Sequence, residues 1–359
     1  MNFWEQLEKP IFALAPMADV TDAAFREMFA TYGAPDVFWT EFVSADGLFL
    51  APEESDRSIE LPEKLREIAV KHGVAPDNPL LKDLIFSSDE HPIVAQFFSR
   101  DPERMKKAAA LAVDLGFDGV DINMGCPARV IVKQGAGCAM IREPEVAREV
   151  IAATKEGANG QIPVTVKTRI GFNRNELDSW LPEILREEPA VVSMHARTRK
   201  DMSKVPAKWD TIKKSVEIRD EVGSDALILG NGDVESLLEG IERVKETGCD
   251  GVMVGRGIFG DPTFFAKKSE IRADFKSSDL KEEEVYNPKR GIEERLNQLV
   301  EHSRLFEKYL GDTKSFAVMR KHFKAYVSGF EDASTLRGEL MQAKDSEEVK
   351  TVVERYLKY

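Results

Sequence analysis

Eight times along this chain a short apolar run is followed by a loop and then by a pattern of helical period, with Gly placed just after many of the helices. The runs are Ile11 to Ala18, Val37 to Phe42, Pro92 to Ser99, Gly119 to Asn123, Pro163 to Gly171, Ala190 to Thr198, Ala226 to Gly232 and Gly251 to Gly257. The intervening helices are clearest at Asp101 to Leu115, Glu143 to Glu156, Trp209 to Glu221 and Val234 to Thr247. Strands that alternate with amphipathic helices form parallel sheets, because each crossover must return the chain to the same end. Eight such units predict an α/β fold of the closed (β/α)8 TIM barrel type, with a doubly wound open sheet as the alternative.

Two segments depart from the repeat. Between the second and third runs lies a charged insertion, about 53–91, with two short helical patterns. After the eighth run, Lys276 to Arg290 is polar and contains Pro288, which reads as a linker. Beyond it Ile292, Leu296, Leu299, Phe306 and Leu310 recur at helical spacing, as do Phe316, Met319, Phe323 and Tyr326. The expected organisation is a barrel over 1–275, a linker over 276–290 and a small all-helical domain over 291–359.

In such barrels, chemistry collects at the C-terminal ends of the strands. The polar residues expected there are Glu41, Gln96, Asn123, Lys167 with Arg169, His195 with Arg197, Asn231-Gly232-Asp233 and Gly255-Arg256-Gly257, beside Pro16-Met17-Ala18. Glycine-flanked turns after the seventh and eighth strands suit a phosphate, held by backbone amides and a helix N-terminus. Cys126 stands where the fourth strand ends, between Gly125 and Pro127 and before the Gly-rich stretch Lys133-Gln134-Gly135-Ala136-Gly137. That placement marks it as reactive, whereas Cys138 and Cys249 read as packing residues.

Composition limits the classes. The chain of 359 residues is 42% hydrophobic and carries a formal net charge of −13, which does not advertise a nucleic-acid binder. From Lys289 onward, however, 14 basic residues face 12 acidic ones, so a local basic face is available there. Three cysteines argue against a disulfide framework, and the N-terminus has no basic and apolar leader, so the expected location is cytoplasmic. No run approaches a membrane span, no protein partner is implied, and neither the five histidines nor the cysteines have metal-ligand spacing.

Taken in order, Ala15 to Arg26 (APMADVTDAAFR), Thr40 to Leu48 (TEFVSADGL), Asp121 to Pro127 (DINMGCP), KQGAG, Val166 to Gly171 (VKTRIG), His195 to Arg199 (HARTR), GNGD and GRG resemble the tRNA-dihydrouridine synthases. Met319 to Gly329 (MRKHFKAYVSG) is similar to the helical C-terminal domain of that family. The resemblance implies an FMN enzyme that reduces the C5–C6 double bond of particular tRNA uridines, with NADPH or NADH as reductant. By matching positions, Pro16, Met17, Ala18, Gln96, Lys167, His195, Asn231, Gly232, Asp233, Gly255 and Arg256 would hold the flavin. Cys126 would be the acid that protonates C5, which requires a thiol and not a thiolate. Asn123 would orient uracil, and Arg129, Lys133, Arg169, Arg197, Arg320, Lys321, His322 and Tyr326 would meet the flipped-out substrate and its RNA. Two rivals share parts of this pattern: an FMN reductase of a free pyrimidine such as dihydroorotate, and a barrel lyase or isomerase with a Schiff base on Lys167.

Overall fold

The computed structural model describes residues 2–50, 59–277 and 291–358. Its eight strands are β1 (Ile11–Leu14), β2 (Phe38–Ser44), β3 (Ile93–Phe98), β4 (Gly119–Met124), β5 (Val164–Arg169), β6 (Val191–His195), β7 (Leu227–Asn231) and β8 (Gly251–Val254). From β2 to β8 each strand pairs in parallel with the next in sequence, and β8 pairs with β1. A doubly wound sheet would instead reverse its strand order at the middle. The ring closes where Ala13 bridges Val37, with the Leu14 N–H donating to the Val37 carbonyl at 3.1 Å. The fold is a TIM barrel followed by a helical region.

Beside the Leu14–Val37 hydrogen bond and the Asp36 N–H donating to the Phe12 carbonyl at 2.8 Å, the β1–β2 joint is braced by side chains from later in the chain. Asp36 accepts the Phe12 N–H at 2.7 Å and is ion-paired to Arg272, whose Nε donates to the Pro10 carbonyl at 2.9 Å. Lys268, one turn earlier in the helix Lys268–Ser277, donates to the Pro35 carbonyl at 2.9 Å.

Except for β2 and β4, the strands are shorter than the apolar runs that announced them. β1 stops at Leu14 and leaves Ala15 to Ala18 as loop, since Pro16 has no N–H for a ladder. Inward-facing Ala13, Trp39, Val94, Val191, Leu229 and Met253 fill the lumen over Trp4, whose ring lies 5.7 Å from that of Trp39. Burying two such rings is worth several kcal/mol, on the order of 25 cal/mol per Å² of apolar surface. Outward-facing residues such as Phe12, Val120, Ile122 and Val252 pack under the helices.

β2 carries a bulge between Trp39 and Phe42, so Thr40 and Glu41 stand opposite a single residue of β3. An extra residue shifts the alternation by one position. Phe42 therefore faces the barrel mouth, and Glu41, expected there, is turned toward the helical region.

In the insertion, Glu63–Lys71 is helical, with 3-10 turns at Pro79–Leu84 and Ser88–Glu90. The helix Lys268–Ser277 runs past the domain boundary expected at 275, and 278–290 of the expected linker lie outside the described residues. The helices Ile292–Leu310, Arg320–Tyr326, Ala333–Leu340 and Ser346–Leu357 share a core of Leu296, Leu299, Phe306, Phe323, Leu336 and Val349, which also covers Ala24 of the first barrel helix, Ala23–Tyr32.

Candidate active site

A pocket of about 810 Å³ opens at the C-terminal mouth of the barrel. Pro16, Met17, Asn123, Cys126, Lys167, Arg169, His195, Arg197, Asn231, Gly232, Asp233, Gly255 and Arg256 line it, brought together from six of the eight strand ends. Phe42, Ser203, Glu235 and Met253 line it as well and were not legible as site residues: Phe42 arrives through the bulge, and Ser203 through the loop after β6. A wider cleft of about 1020 Å³ opens at the opposite mouth, beside Trp4 and Pro163. It lies away from the C-terminal strand ends, and none of the strand-end residues expected to do chemistry reaches it.

Cys126 is held by the end of β4. Asn123 Oδ1 accepts the backbone N–H of Gly125 at 3.1 Å and of Cys126 at 2.9 Å, which turns the chain sharply after the strand. The Cys126 carbonyl accepts the Cys138 N–H at 3.2 Å, tying the Gly-rich loop across it. Gly137, at φ 59°, fits only without a side chain, since a Cβ would stand 2.8 Å from the Cys126 carbonyl oxygen. Burial pushes the Cys126 thiol up from its ordinary value, against the pull of the Ala128 amide and the charges of Arg169 and Lys167. The group is a protonated thiol at neutral pH. Cys138 and Cys249 are buried.

Behind this loop runs a chain of polar side chains. Thr165 Oγ1 donates to Asp121 Oδ1 at 2.5 Å, Gln96 Nε2 donates to Asp121 Oδ2 at 2.6 Å, and Asn123 Nδ2 donates to Gln96 Oε1 at 2.8 Å. Burial raises the Asp121 carboxyl to about 6, offset in part by the Thr165 and Gln96 hydrogen bonds and the Lys167 charge. Gln96 is fully buried with both ends of its amide engaged by protein, so here it orients Asn123 and does not present a free group to the pocket.

Four cations, Lys167, Arg169, Arg197 and Arg256, converge on the pocket, two of them paired with Asp233. Lys167 sits deep on β5 with part of its surface on the pocket, and its Nζ donates to Asn231 Oδ1 at 3.0 Å. Asn231 Nδ2 donates in turn to the Met253 carbonyl at 2.7 Å. Burial, then repulsion from Arg169, lowers the Lys167 ammonium to about 8. Arg169 is buried and donates to the Gly125 carbonyl at 2.7 Å, while Arg197 is buried and ion-paired to Asp233. Arg169 and Arg197, expected from the sequence to meet the substrate and its RNA, instead brace the pocket wall and do not reach outward, because burial against the Gly125 carbonyl and Asp233 takes up their guanidiniums. His195 accepts from Arg197 at 3.2 Å through Nε2; desolvation and four neighbouring cations keep its pKa far below the ordinary value, so it is neutral. At Asp233, burial is outweighed by the Arg197 hydrogen bond, the Ala207 amide and Arg256, which hold the carboxyl below its usual range.

The turns after β7 and β8 are pressed together. A Cβ on Gly257 would stand 2.2 Å from the Val234 carbonyl oxygen, so only Gly lets the two turns share one concavity. Arg256 at its rim is mostly exposed and reaches Asp233 at 3.2 Å. A buried cation at depth and two apposed glycine turns beneath an exposed Arg form a donor set that fits a flavin ring and its phosphate.

Other sequence candidates lie elsewhere. Ala18 is outside the pocket lining. Arg129 and Lys133 are exposed on the short helix Arg129–Lys133 that follows Cys126, and Arg320 is exposed on the helical region. Lys321 is turned inward and donates to the Asp19 carbonyl. His322 and Tyr326 are buried, so neither ring is presented for stacking on a base: the apolar spacing that made this segment a helix also placed them on its inner face.

Among the described residues no group of acids, His and Cys is arranged to hold a metal ion, and no helix is long and apolar enough to cross a membrane. A family model described as Dihydrouridine synthase (Dus) matches residues 13–359. A probable tRNA-dihydrouridine synthase of Staphylococcus aureus (strain Mu50) is 36% identical over 357 residues, covering 99% of this chain and 95% of the relative. A probable tRNA-dihydrouridine synthase 2 of Bacillus subtilis (strain 168) is 35% identical, covering 99% and 96%. Among solved structures, histamine dehydrogenase from Rhizobium sp. 4-9 shares the barrel fold at a TM-score of 0.50 and 15% identity, over 82% of this chain and 48% of that one. With its motifs converging on one cationic pocket and relatives matched almost end to end, the chain belongs to the dihydrouridine synthase family.

Proposed function

We propose that this pocket reduces the C5–C6 double bond of uridines in tRNA, with Cys126 as the acid. The protein is an FMN-dependent oxidoreductase of the tRNA-dihydrouridine synthase family, and NAD(P)H is the reductant typical of that family. Once reduced by NAD(P)H, bound FMN would supply the hydride delivered to C6. Lys167 and Asn231 would hold the polar edge of its ring, while the Gly232–Asp233 and Gly255–Gly257 turns and Arg256 would hold its phosphate. An ammonium at the depth of Lys167 favours negative charge beside it, and the neutral His195 adds a hydrogen-bonding ring without adding charge.

The single observation that carries the assignment of Cys126 is a protonated thiol fixed at the lip of a cationic pocket by Asn123. Its proton passes to C5 as charge builds on the uracil. The thiolate left behind is offset by Arg169 and Lys167. Exposed Arg129, Lys133, Arg320 and Lys324 are the groups we assign to tRNA phosphates, and the compartment that follows from such a substrate is the cytoplasm.

The test is turnover of tRNA from cells lacking dihydrouridine, with NADPH and the purified protein, read by nucleoside mass spectrometry beside free uridine. Dihydrouridine in tRNA alone is the expected result. Reduction of the free base in its place would move the protein to the small-molecule reductases.

A further inference from the structure

We infer that Lys314, far along the chain in the helical region, is a positioning residue for the flavin pocket, acting through Glu41 and the loop after β1. This deepens the proposed function, since it takes the pocket to be a flavin site.

Lys314 lies in the turn that follows the helix Ile292–Leu310, and that turn is clasped from two sides. Asp312 receives Lys82 of the insertion at 2.9 Å and the Glu60 N–H at 2.9 Å. Lys314 reaches the other way, to Glu41 Oε2 at 2.9 Å and to Asp83 and Asp19 at 3.5 Å each. Neighbouring insertion residues, Lys82 and Asp83, thus meet neighbouring charges of the turn with the signs crossed. This gives the insertion a role as the dock for the helical region.

From Glu41 the contacts lead to the pocket. Its second oxygen accepts the Asp19 N–H, and the Asp19 carbonyl accepts Lys321. Asp19 has φ 54°, a left-handed conformation that a non-Gly residue keeps only when its surroundings impose it. Two residues earlier stands Met17 of the pocket wall, whose N–H donates to Thr21 Oγ1 at 2.9 Å. The charged groups facing this point are Asp19, Asp22, Glu41 and Asp83, opposed by Lys314, Lys321 and Arg26. Glu41 and Asp83 both pair with the Lys314 ammonium, Asp22 lies within reach of its charge, and one buried Asp22 oxygen has no hydrogen-bond partner. Without Lys314 these carboxylates repel or take up protons, Glu41 no longer keeps its aim, and the Asp19 turn relaxes toward the Met17 wall.

The experiment compares FMN binding by full-length wild-type, Lys314→Met and Lys314→Arg apoproteins through flavin fluorescence, together with the flavin absorption maximum and the rate of reduction by NADPH. Lys314→Met is expected to raise the FMN Kd about tenfold, to shift the absorption maximum and to slow reduction, because small displacements of a binding wall are costly. Lys314→Arg is expected to recover most of each. A folded Lys314→Met protein with wild-type Kd, spectrum and reduction rate overturns the inference. Should that variant not fold, Glu41→Gln, which keeps the shape and removes the charge, must still weaken FMN binding about threefold, and an unchanged Kd overturns the inference equally. Wild-type protein that binds FMN but forms no dihydrouridine overturns the proposed function and leaves this comparison standing; wild-type protein that binds no FMN overturns both.

Discussion

Asn123 Oδ1 accepts the N–H of Cys126 at 2.9 Å, so one side chain at the end of β4 both borders the pocket and fixes the thiol loop. Because the thiol is wanted as an acid, and burial keeps its proton on, substitution should separate the two halves of the reaction. Cys126→Ala should retain flavin and reduction by NADPH while losing tRNA reduction by roughly 10² to 10⁴ fold, the usual worth of a positioned acid. Dihydrouridine formed at the wild-type rate in single turnovers would remove Cys126 from that role.

Lys167 titrates near 8 because burial and Arg169 disfavour its charge. An anionic ligand binds best while the ammonium is protonated, so FMN affinity should fall as pH rises through about 8. Lys167→Met should bind FMN more weakly at neutral pH and should lack that step. Parallel pH titrations of apoprotein with FMN provide the check, and a step that persists in the variant assigns it to another group.

Gly257→Ala forces the turn after β8 away from the Val234 carbonyl. The change lies at the barrel rim and leaves the lumen packing intact. The expected outcome is a FMN Kd raised by about tenfold or more with a melting temperature within a few degrees of wild type. A large fall in melting temperature with normal FMN affinity would show that the turn serves the fold and not the ligand.

His302 and His322 meet edge to face inside the helical core, ring centroids 4.6 Å apart, and all four ring nitrogens are buried without a hydrogen-bond partner. Burial, then the Lys321 charge, lowers His302 to about 3 from an ordinary 6.5. The folded state therefore stays neutral at His302 while the unfolded chain takes up a proton below 6.5, and stability is lost as pH falls from there toward 3. His302→Leu should remove that component: its stability relative to wild type should rise by about 1.4 kcal/mol per pH unit across this window, as measured by urea unfolding. A difference that does not change with pH would mean that His302 is charged in the fold.

Much of this was legible in the residues. Eight apolar runs of strand length, each with its helix, leave few topologies open, and Cys126 beside Pro127 and the Gly turns, singled out in the sequence, line one pocket at the C-terminal mouth. Side-chain direction was not legible. The bulge in β2 exchanges Phe42 for Glu41, and nothing in FWTEFVS announces an extra residue. Gln96 was read as a ligand of the ring, yet its amide is taken up between Asp121 and Asn123 of the neighbouring strand, a contact between β3 and β4 that no local pattern carries. In MRKHFKAYVSG the basic residues suggested an RNA face, but helical periodicity sends His322 and Tyr326 inward and leaves Arg320 and Lys324 outside.

The β1–β2 joint links positions 13 and 37, but the side chains that latch it belong to the much later positions 268, 272 and 314. A nascent chain with all eight strands clear of the ribosome still lacks Lys314 and so has the upper end of its seam unlatched. The helical region thus completes a seam that the barrel's own residues only begin: truncating it would leave Lys268 and Arg272 holding one end of the joint and free Glu41 and the Asp19 turn at the other.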